Sequence, residues 1–363
     1  MGRRAGGDRG AAPRADRRRR RPVRRRQEGS RVTDTLTSFD AALTRRASLL
    51  TQLAGEDTDC VRLFHGVAEG VPGLTIDRYG PVLLVQTQAS RPVVDDEIVA
   101  RLADRAREAL GLDLALAWNV RGGAAVEQPA FDHPGPFVGR ELGAKYDVRP
   151  RHRGQDPLLF LDFRVARRLV RDRSKGASVL NLFAYTCGVG IAAMAGGARE
   201  VWNVDFARSA LDVGRHNAAL NGLDEKAFRT IEADAIPTMR QIADMPVKGR
   251  GARRGVVKVN ARAFDVVVLD PPRWAKTPFG AVDVVNDYPS LLKPAIGCAK
   301  PGGLVIATNH VPDVTREAFE AIVRRTADKM GRPFTELSFL GPEADFPSFD
   351  GEPPLKIAVG VVS

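Results

Sequence analysis

Cysteine is scarce. Cys60, Cys187 and Cys298 are the only three in 363 residues, scattered and without C-x-x-C spacing, which argues against a disulfide framework or a zinc site. No apolar run is long enough to span a bilayer, so no membrane-spanning helix is expected. Acidic residues are nearly missing from the first 32 positions, where thirteen arginines meet only Asp8, Asp16 and Glu28 and carry about +10 of the formal net charge of +11. Large apolar residues are missing there too, so residues 1–34 lack the means to bury surface and are expected to be a disordered tail. No apolar core follows the charges, which excludes a secretory signal. The tract reads as translated sequence upstream of a true start near Val32, as an arm that grips RNA phosphates electrostatically, or as an idle tail. The rest of the chain is close to neutral, and a cytoplasmic protein is expected.

What is present is a series of apolar strands, each ending in a chemically distinctive residue. VLNLFAYTCGVG (179–190) is followed by VWNVD ending at Asp205, IEAD ending at Asp234 and VVVLDPP ending at Pro272. In a doubly wound α/β sheet, ligands bind outside the carboxyl ends of the strands, so these four ends are expected to line one crevice. The turn after the first strand has small residues where a backbone must approach a ligand and a helix must start; Asn181, Phe183, Thr186 and Gly188 are its candidate contacts. Asp205 lies at the spacing of a carboxylate that accepts from ribose hydroxyls, and Asp234 is placed to receive an adenine amino group. A dinucleotide dehydrogenase shares the glycine turn and Asp205, but it leaves Asp270-Pro271-Pro272 without a purpose.

Upstream, periodicity predicts a helix over 38–53, strands at 61–64, 74–79 and 82–88, a helix over 95–110, a strand at 114–120 and a hairpin over 138–149. This is a small α+β domain over 35–150, followed by an α/β domain with a Rossmann-like seven-stranded sheet over 151–363. RVARRLVRDR (164–173) reads as an amphipathic basic helix with Val165, Leu169 and Val170 inward and its arginines outward. The basic stretch 248–262 leads into the fourth strand, so right-handed crossovers put it at the opposite edge from the strand ends.

Together these segments resemble class I S-adenosylmethionine (SAM) dependent RNA methyltransferases of the group that modifies bacterial large-subunit ribosomal RNA at cytosine C5 or guanine N7. The carriers are RLFHGVAEGVPGLTIDRYG (62–80), GQDPLLFLDFRVARR (154–168), the glycine turn, NVDFARSALDVGRHNAALNGL (203–223) and LDPPRWAK (269–276). The resemblance implies SAM as cofactor, RNA as partner, and contacts from Gln155 and Arg164 to the cofactor's methionine end. It also implies a PUA domain in front, which is not expected here because the arginine-rich tract and one predicted helix precede the match.

The chemistry departs from these relatives. Methylation at cytosine C5 needs a thiolate to attack the neighbouring ring carbon, and the resemblance puts that cysteine at the end of the fifth strand. Here the strand ends in Thr308-Asn309-His310. A base nitrogen needs only alignment and a proton acceptor. Asp270 with the carbonyls of Pro271 and Pro272, Trp274 as a stacking surface, and Asn309 or His310 at the base edge form such a layout. The expected activity is therefore methyl transfer to an RNA base at nitrogen, or by an atypical C5 route. A catalytically silent SAM-binding RNA-interaction protein, and a methyltransferase of a non-RNA substrate, are the alternatives.

Overall fold

A computed structural model of the chain describes residues 21–90, 94–122, 128–131, 133–151, 157–247, 257–277 and 280–363, leaving aside the side chains of 21–33 and 275–281. The long helix α1 (Arg21–Gly55) opens it. It starts well before the periodic segment and thus corrects the expected disorder over 21–34; residues 1–20 lie outside the described residues. Arginine and glutamine are good helix formers, and Pro22 sits in the first turn, where its missing N–H costs nothing. Among the described side chains of α1, Leu36 and Phe39 are buried.

Four strands follow, β1 (Cys60–His65), β2 (Thr75–Tyr79), β3 (Val82–Gln88) and, after helix α2 (Asp96–Leu110), β4 (Ala115–Arg121). They form one sheet in the order β1-β2-β3-β4, antiparallel except for the β3/β4 pair that α2 connects. Asp95 caps α2 by accepting from Ile98 N at 3.0 Å, and Gly111 ends it at φ 64°. Both faces of β3 are buried. Leu83 and Val85 pack with Phe39, Phe64 and Leu102 under the helices, whereas Val82 and Leu84 join Tyr79 and Ala117 in a core shared with the second domain.

The hairpin β5 (Val138–Glu141) and β6 (Ala144–Asp147) then stitches the halves together, as Lys145 N and Asp147 N donate to Asn221 and Asn217 at 2.9 and 2.8 Å. A single 3-10 turn (Leu161–Phe163) leads into α3 (Arg164–Arg173), β7 (Ser178–Leu182), α4 (Gly188–Ala195), β8 (Glu200–Asp205), α5 (Arg208–Leu220), β9 (Phe228–Glu232) and α6 (Ala235–Ile242). The chain continues through β10 (Phe264–Leu269), a hairpin β11 (Trp274–Thr277) and β12 (Gly280–Asp283), α7 (Tyr288–Gly297), β13 (Ala299–Asn309), α8 (Arg316–Lys329), β14 (Phe334–Leu340) and β15 (Lys356–Val362). The large sheet has the order β14-β15-β13-β10-β7-β8-β9, and only β15 runs against its neighbours. This is the expected α/β architecture. Its strand order reverses at β7, so β7 and β10 open the switch-point crevice. The β11–β12 hairpin was not expected.

Helix α3 corrects the amphipathic reading. Arg164 and Arg167 are buried with Ala166 and Val170, while Val165 and Leu169 are half-exposed. The reason is a set of carboxylates brought from elsewhere. Arg167 forks onto Glu141 at 2.5 and 2.7 Å. Arg164 reaches Glu343 at 2.6 Å, Asp345 at 2.7 Å and the Cys60 carbonyl at 2.8 Å. The acidic loop between β14 and β15 is therefore a strap between the domains: Asp345 also accepts from Arg62 N at 3.1 Å, and Phe346 lies under the Arg62 guanidinium at 4.5 Å.

Candidate active site

The turn from β7 to α4 carries three non-glycine residues in the left-handed region, Phe183, Tyr185 and Cys187, at φ 58°, 48° and 63°. Each such residue costs on the order of 1–3 kcal/mol, and the conformation persists only where surroundings over-determine it. Here Ala184 N donates to Val204 C=O at 3.0 Å, Cys187 N to Ala184 C=O at 2.8 Å, and Tyr185 N to Asp205 Oδ2 at 2.8 Å. Glycine is needed for space instead: a Cβ on Gly190 would stand 2.2 Å from Asn203 Oδ1, which accepts from Asn181 at 2.9 Å.

Asp205 uses its other oxygen on Ala207 N at 2.8 Å. Burial pushes its carboxyl above the ordinary range, opposed by the amides of Ala207, Tyr185 and Phe206. Asp234 lies beyond the end of β9 and caps α6, with Oδ1 accepting from Ile236 N at 2.9 Å. Its Oδ2 is buried without a hydrogen-bond partner among the described residues. An orphaned buried acceptor of this kind is costly, and it fits a ligand that brings an N–H donor.

Asn181, Phe183, Thr186, Gly188 and Asp270 line one crevice, faced by Leu158, Phe160, Phe163 and Arg167. Its volume is about 50 Å³, well below the roughly 300–1,000 Å³ of ordinary small-molecule sites. The narrowing has a local cause. Phe160 packs on Tyr185 with ring centroids 5.5 Å apart, and the Tyr185 and Thr186 hydroxyls donate to the Pro157 and Leu158 carbonyls at 3.2 and 2.5 Å.

Asp270 follows β10 and accepts from the Thr308 hydroxyl at the end of β13. Burial raises its carboxyl above the ordinary carboxylate range; Thr308, His310 and Arg167 oppose that rise and Asp162 adds to it. Pro271 is buried and Pro272 half-buried behind it, and Trp274 stands 63% exposed at the start of the β11–β12 hairpin. His310 is half-buried and has no hydrogen bond among the described residues.

Two expected contacts are redirected. Arg164 does not face the crevice: its guanidinium is consumed by Glu343, Asp345 and Cys60, and Arg167 is the arginine that lines the site. Asn309 is 1% exposed, donating to Val284 C=O at 3.2 Å and accepting from Val311 N at 2.9 Å, so it fastens the loop rather than a base edge. Gln155 lies outside the described residues. Thr308 and the place of Arg167 in the crevice wall were missed, whereas 157–160 falls in the segment that the resemblance lays over the cofactor's methionine end; the only signal for Thr308 was its place at the end of the fifth strand.

The three cysteines are buried away from Asp270. Cys60 is 0% exposed in the interdomain core beside Asp59, Cys187 is in the turn, and Cys298 donates to Met239 C=O at 3.3 Å before β13. Burial pushes all three thiols up, further from the reactive thiolate. Within 248–262, residues 248–256 lie outside the described residues. Arg262 packs on Trp202 and Phe264, with the guanidinium carbon 4.8 and 4.6 Å from the ring centroids, and pairs with Glu200 at the start of β8. It borders a larger groove of about 870 Å³, remote from Asp270.

Residues 62–358 match the family model described as S-adenosylmethionine-dependent methyltransferase. A ribosomal RNA large subunit methyltransferase of Deinococcus radiodurans is 31% identical over 316 residues, covering 82% of this chain and 71% of the relative. Ribosomal RNA large subunit methyltransferase I of Aeromonas hydrophila is 30% identical over 79% of this chain and 70% of its own length. Among solved structures, SMU.776 complexed with SAH superposes with a TM-score of 0.71 at 22% identity, over 91% of this chain and 82% of that one. The SAM-dependent methyltransferase from Agrobacterium tumefaciens gives 0.56 at 19% identity, over 84% and 90%. At these identities the structural likeness carries the fold.

Proposed function

The chain belongs to the S-adenosylmethionine-dependent methyltransferase family, and from that premise we propose that it methylates a base of large-subunit ribosomal RNA at a nitrogen. The ribosomal substrate rests on the names of the relatives at 31% and 30% identity. The choice of nitrogen rests on one observation: among the described residues the crevice offers Asp270, held by the Thr308 hydroxyl at the end of β13, and no thiol.

When bound, SAM supplies an electrophilic methyl group. The residues present suit it. The unpartnered Asp234 Oδ2 matches the adenine amino group, and Gly188, where a Cβ would press on Leu159 at 3.3 Å, keeps the turn open to close approach. Asp205 orients the turn through Tyr185 N, which supports its reading as the ribose acceptor. Arg167, neutralised by Glu141, gives the crevice a wall without a free charge.

On the substrate side, Asp270 takes the N–H of the target nitrogen. Its raised carboxyl makes it a better proton acceptor than an exposed aspartate. The Thr308 hydroxyl fixes the carboxyl's orientation, and the exposed Trp274 ring is available for stacking.

The test is incubation with isotope-labelled SAM and ribosomal RNA from a strain lacking the gene, followed by mass spectrometry of the nucleosides. A labelled N-methyl base is expected; 5-methylcytidine would overturn the choice of nitrogen. For the cofactor, Asp234→Asn keeps the cap oxygen on Ile236 N but turns an N–H toward the adenine amino group. SAM affinity measured calorimetrically is expected to fall about 10–100-fold, the loss of one hydrogen bond to a charged group, with little change in melting temperature. Unchanged affinity would remove Asp234 from the cofactor site.

A further inference from the structure

The groove of about 870 Å³ that Arg262 borders has no task in the reading above. It runs along the open edge of the large sheet, where β9 is hydrogen-bonded to β8 alone. Phe228, Arg229, Thr230 and Ile231 all line it, and successive strand residues point to opposite faces, so the groove wraps around the edge. On one face Arg215 of α5 donates to the Thr230 hydroxyl at 2.8 Å. On the other, the Arg229 guanidinium carbon stands 5.6 Å from the Trp202 ring centroid, with Arg262 over the same ring.

Four cations, Arg215, Arg229, Lys258 and Arg262, meet a single acid, Glu225, among the residues that line this groove. Two of them are matched, Arg215 by Asp212 and Arg262 by Glu200. The other two are open. Lys258 is exposed and has neither hydrogen bond nor ion pair among the described residues. Arg229 spends only Nε, on the Lys226 carbonyl at 3.2 Å. Its contact with the Trp202 ring steadies the planar guanidinium and leaves both terminal nitrogens unengaged among the described residues. By sequence, residues 248–256, which lead into Val257, add Lys248, Arg250, Arg253 and Arg254 and no acid.

We infer that this groove binds the phosphate backbone of RNA, with Arg229 and Lys258 as its phosphate contacts. The inference deepens the reading of the protein as an RNA methyltransferase and rests on it. A guanidinium edge offers a phosphate two parallel N–H donors, and an ammonium adds a point charge. Cations flanking an edge strand oppose the addition of a further β-strand there, which favours a polyanion over a second protein chain. In the sheet β9 lies three strand spacings from β10, about 14 Å. The contact is thus outside the crevice and adds affinity without touching the target base.

Arg229→Ala combined with Lys258→Ala in the full chain tests this, beside a control that removes the exposed Arg105 of α2 and Arg324 of α8 and changes the net charge equally. The SAH-loaded protein is titrated with a short single-stranded RNA of random sequence over a range of salt concentrations. For the groove pair, affinity at low salt is expected to fall about tenfold and the slope of log affinity on log salt to become shallower by about 1–2, whereas the control stays within about twofold. Lys258→Ala alone, which breaks no contact, is expected to lose about threefold. On ribosomal RNA the groove pair should raise KM at unchanged kcat, the mark of lost uniform binding, with SAM affinity as in the wild type.

Unchanged RNA affinity and salt slope in Lys258→Ala and in the pair would overturn the assignment, as would an equal loss in the control. Polyglutamate competing as well as RNA at equal charge would overturn it in favour of an acidic protein partner. If the wild type labels no ribosomal nucleoside, the methylation reading fails, and the titration with random RNA still decides the groove.

Discussion

Asp270→Ala is expected to lower kcat/KM by about 10²–10⁴-fold, the range of a lost proton acceptor, while the chain melts within a few degrees of the wild type. The fold is spared because burial already opposes the Asp270 charge, so removing the carboxyl relieves a desolvation cost and forfeits only the bond from Thr308. Asp270→Asn separates the roles. It preserves the volume and a partner for Thr308 but accepts no proton, and it should be nearly as inactive. Since the acceptor works only when deprotonated and its carboxyl is raised, wild-type activity should climb with pH from the acid side, and Asp270→Asn should lose that dependence. Initial rates with labelled SAM and undermethylated ribosomal RNA, beside calorimetric SAM binding, give the result. Full activity in either variant would take Asp270 out of the site.

The largest stability effect is expected at Arg164. Its side chain is 0% exposed and faces Asp345, also 0% exposed, and Glu343. Truncation to alanine leaves Asp345 buried without its cation, while Glu343 keeps only Arg168, a loss of about 3–5 kcal/mol, read as a shift of the urea midpoint at constant m-value. Burial pushes the Asp345 carboxyl up and Arg164 holds it down, so the variant should also favour a protonated Asp345. Arg164→Met combined with Glu343→Gln and Asp345→Asn should recover much of the loss, because a buried ion network exchanged for neutral groups is often close to neutral in cost. A loss below about 1 kcal/mol for Arg164→Ala would mean that the strap between β14 and β15 does not hold the domains together.

Arg164 also marks the limit of what could be read from the chain. In RVARRLVRDR, arginine is expected outward because a helix face of unmatched cations belongs in water. That expectation fails at Arg164 and Arg167 because their partners lie 179, 181 and 26 residues away, at Glu343, Asp345 and Glu141. Asn309 failed for a related reason. Its position at the strand end was correct, but whether its amide faces a ligand or the backbone depends on Val311 two residues on and on Val284, which follows a hairpin without strong strand periodicity.

The strands themselves were legible because each is a local object. An apolar run of the right length, an acid or proline at its end and an amphipathic helix after it depend on neighbours a few residues apart. From these runs and the resemblance the chain indicated the seven-stranded sheet and a crevice at its strand ends, where Asn181, Thr186, Gly188 and Asp270 meet, although Asp205 and Asp234 are not among the residues that line it. Tertiary structure decided which polar groups keep a free valence once everything is packed. Asp234 retains an unpartnered oxygen, while Arg164, Arg167 and Asn309 are fully spent. Polar satisfaction is a property of the whole packed interior, and no window of sequence contains it.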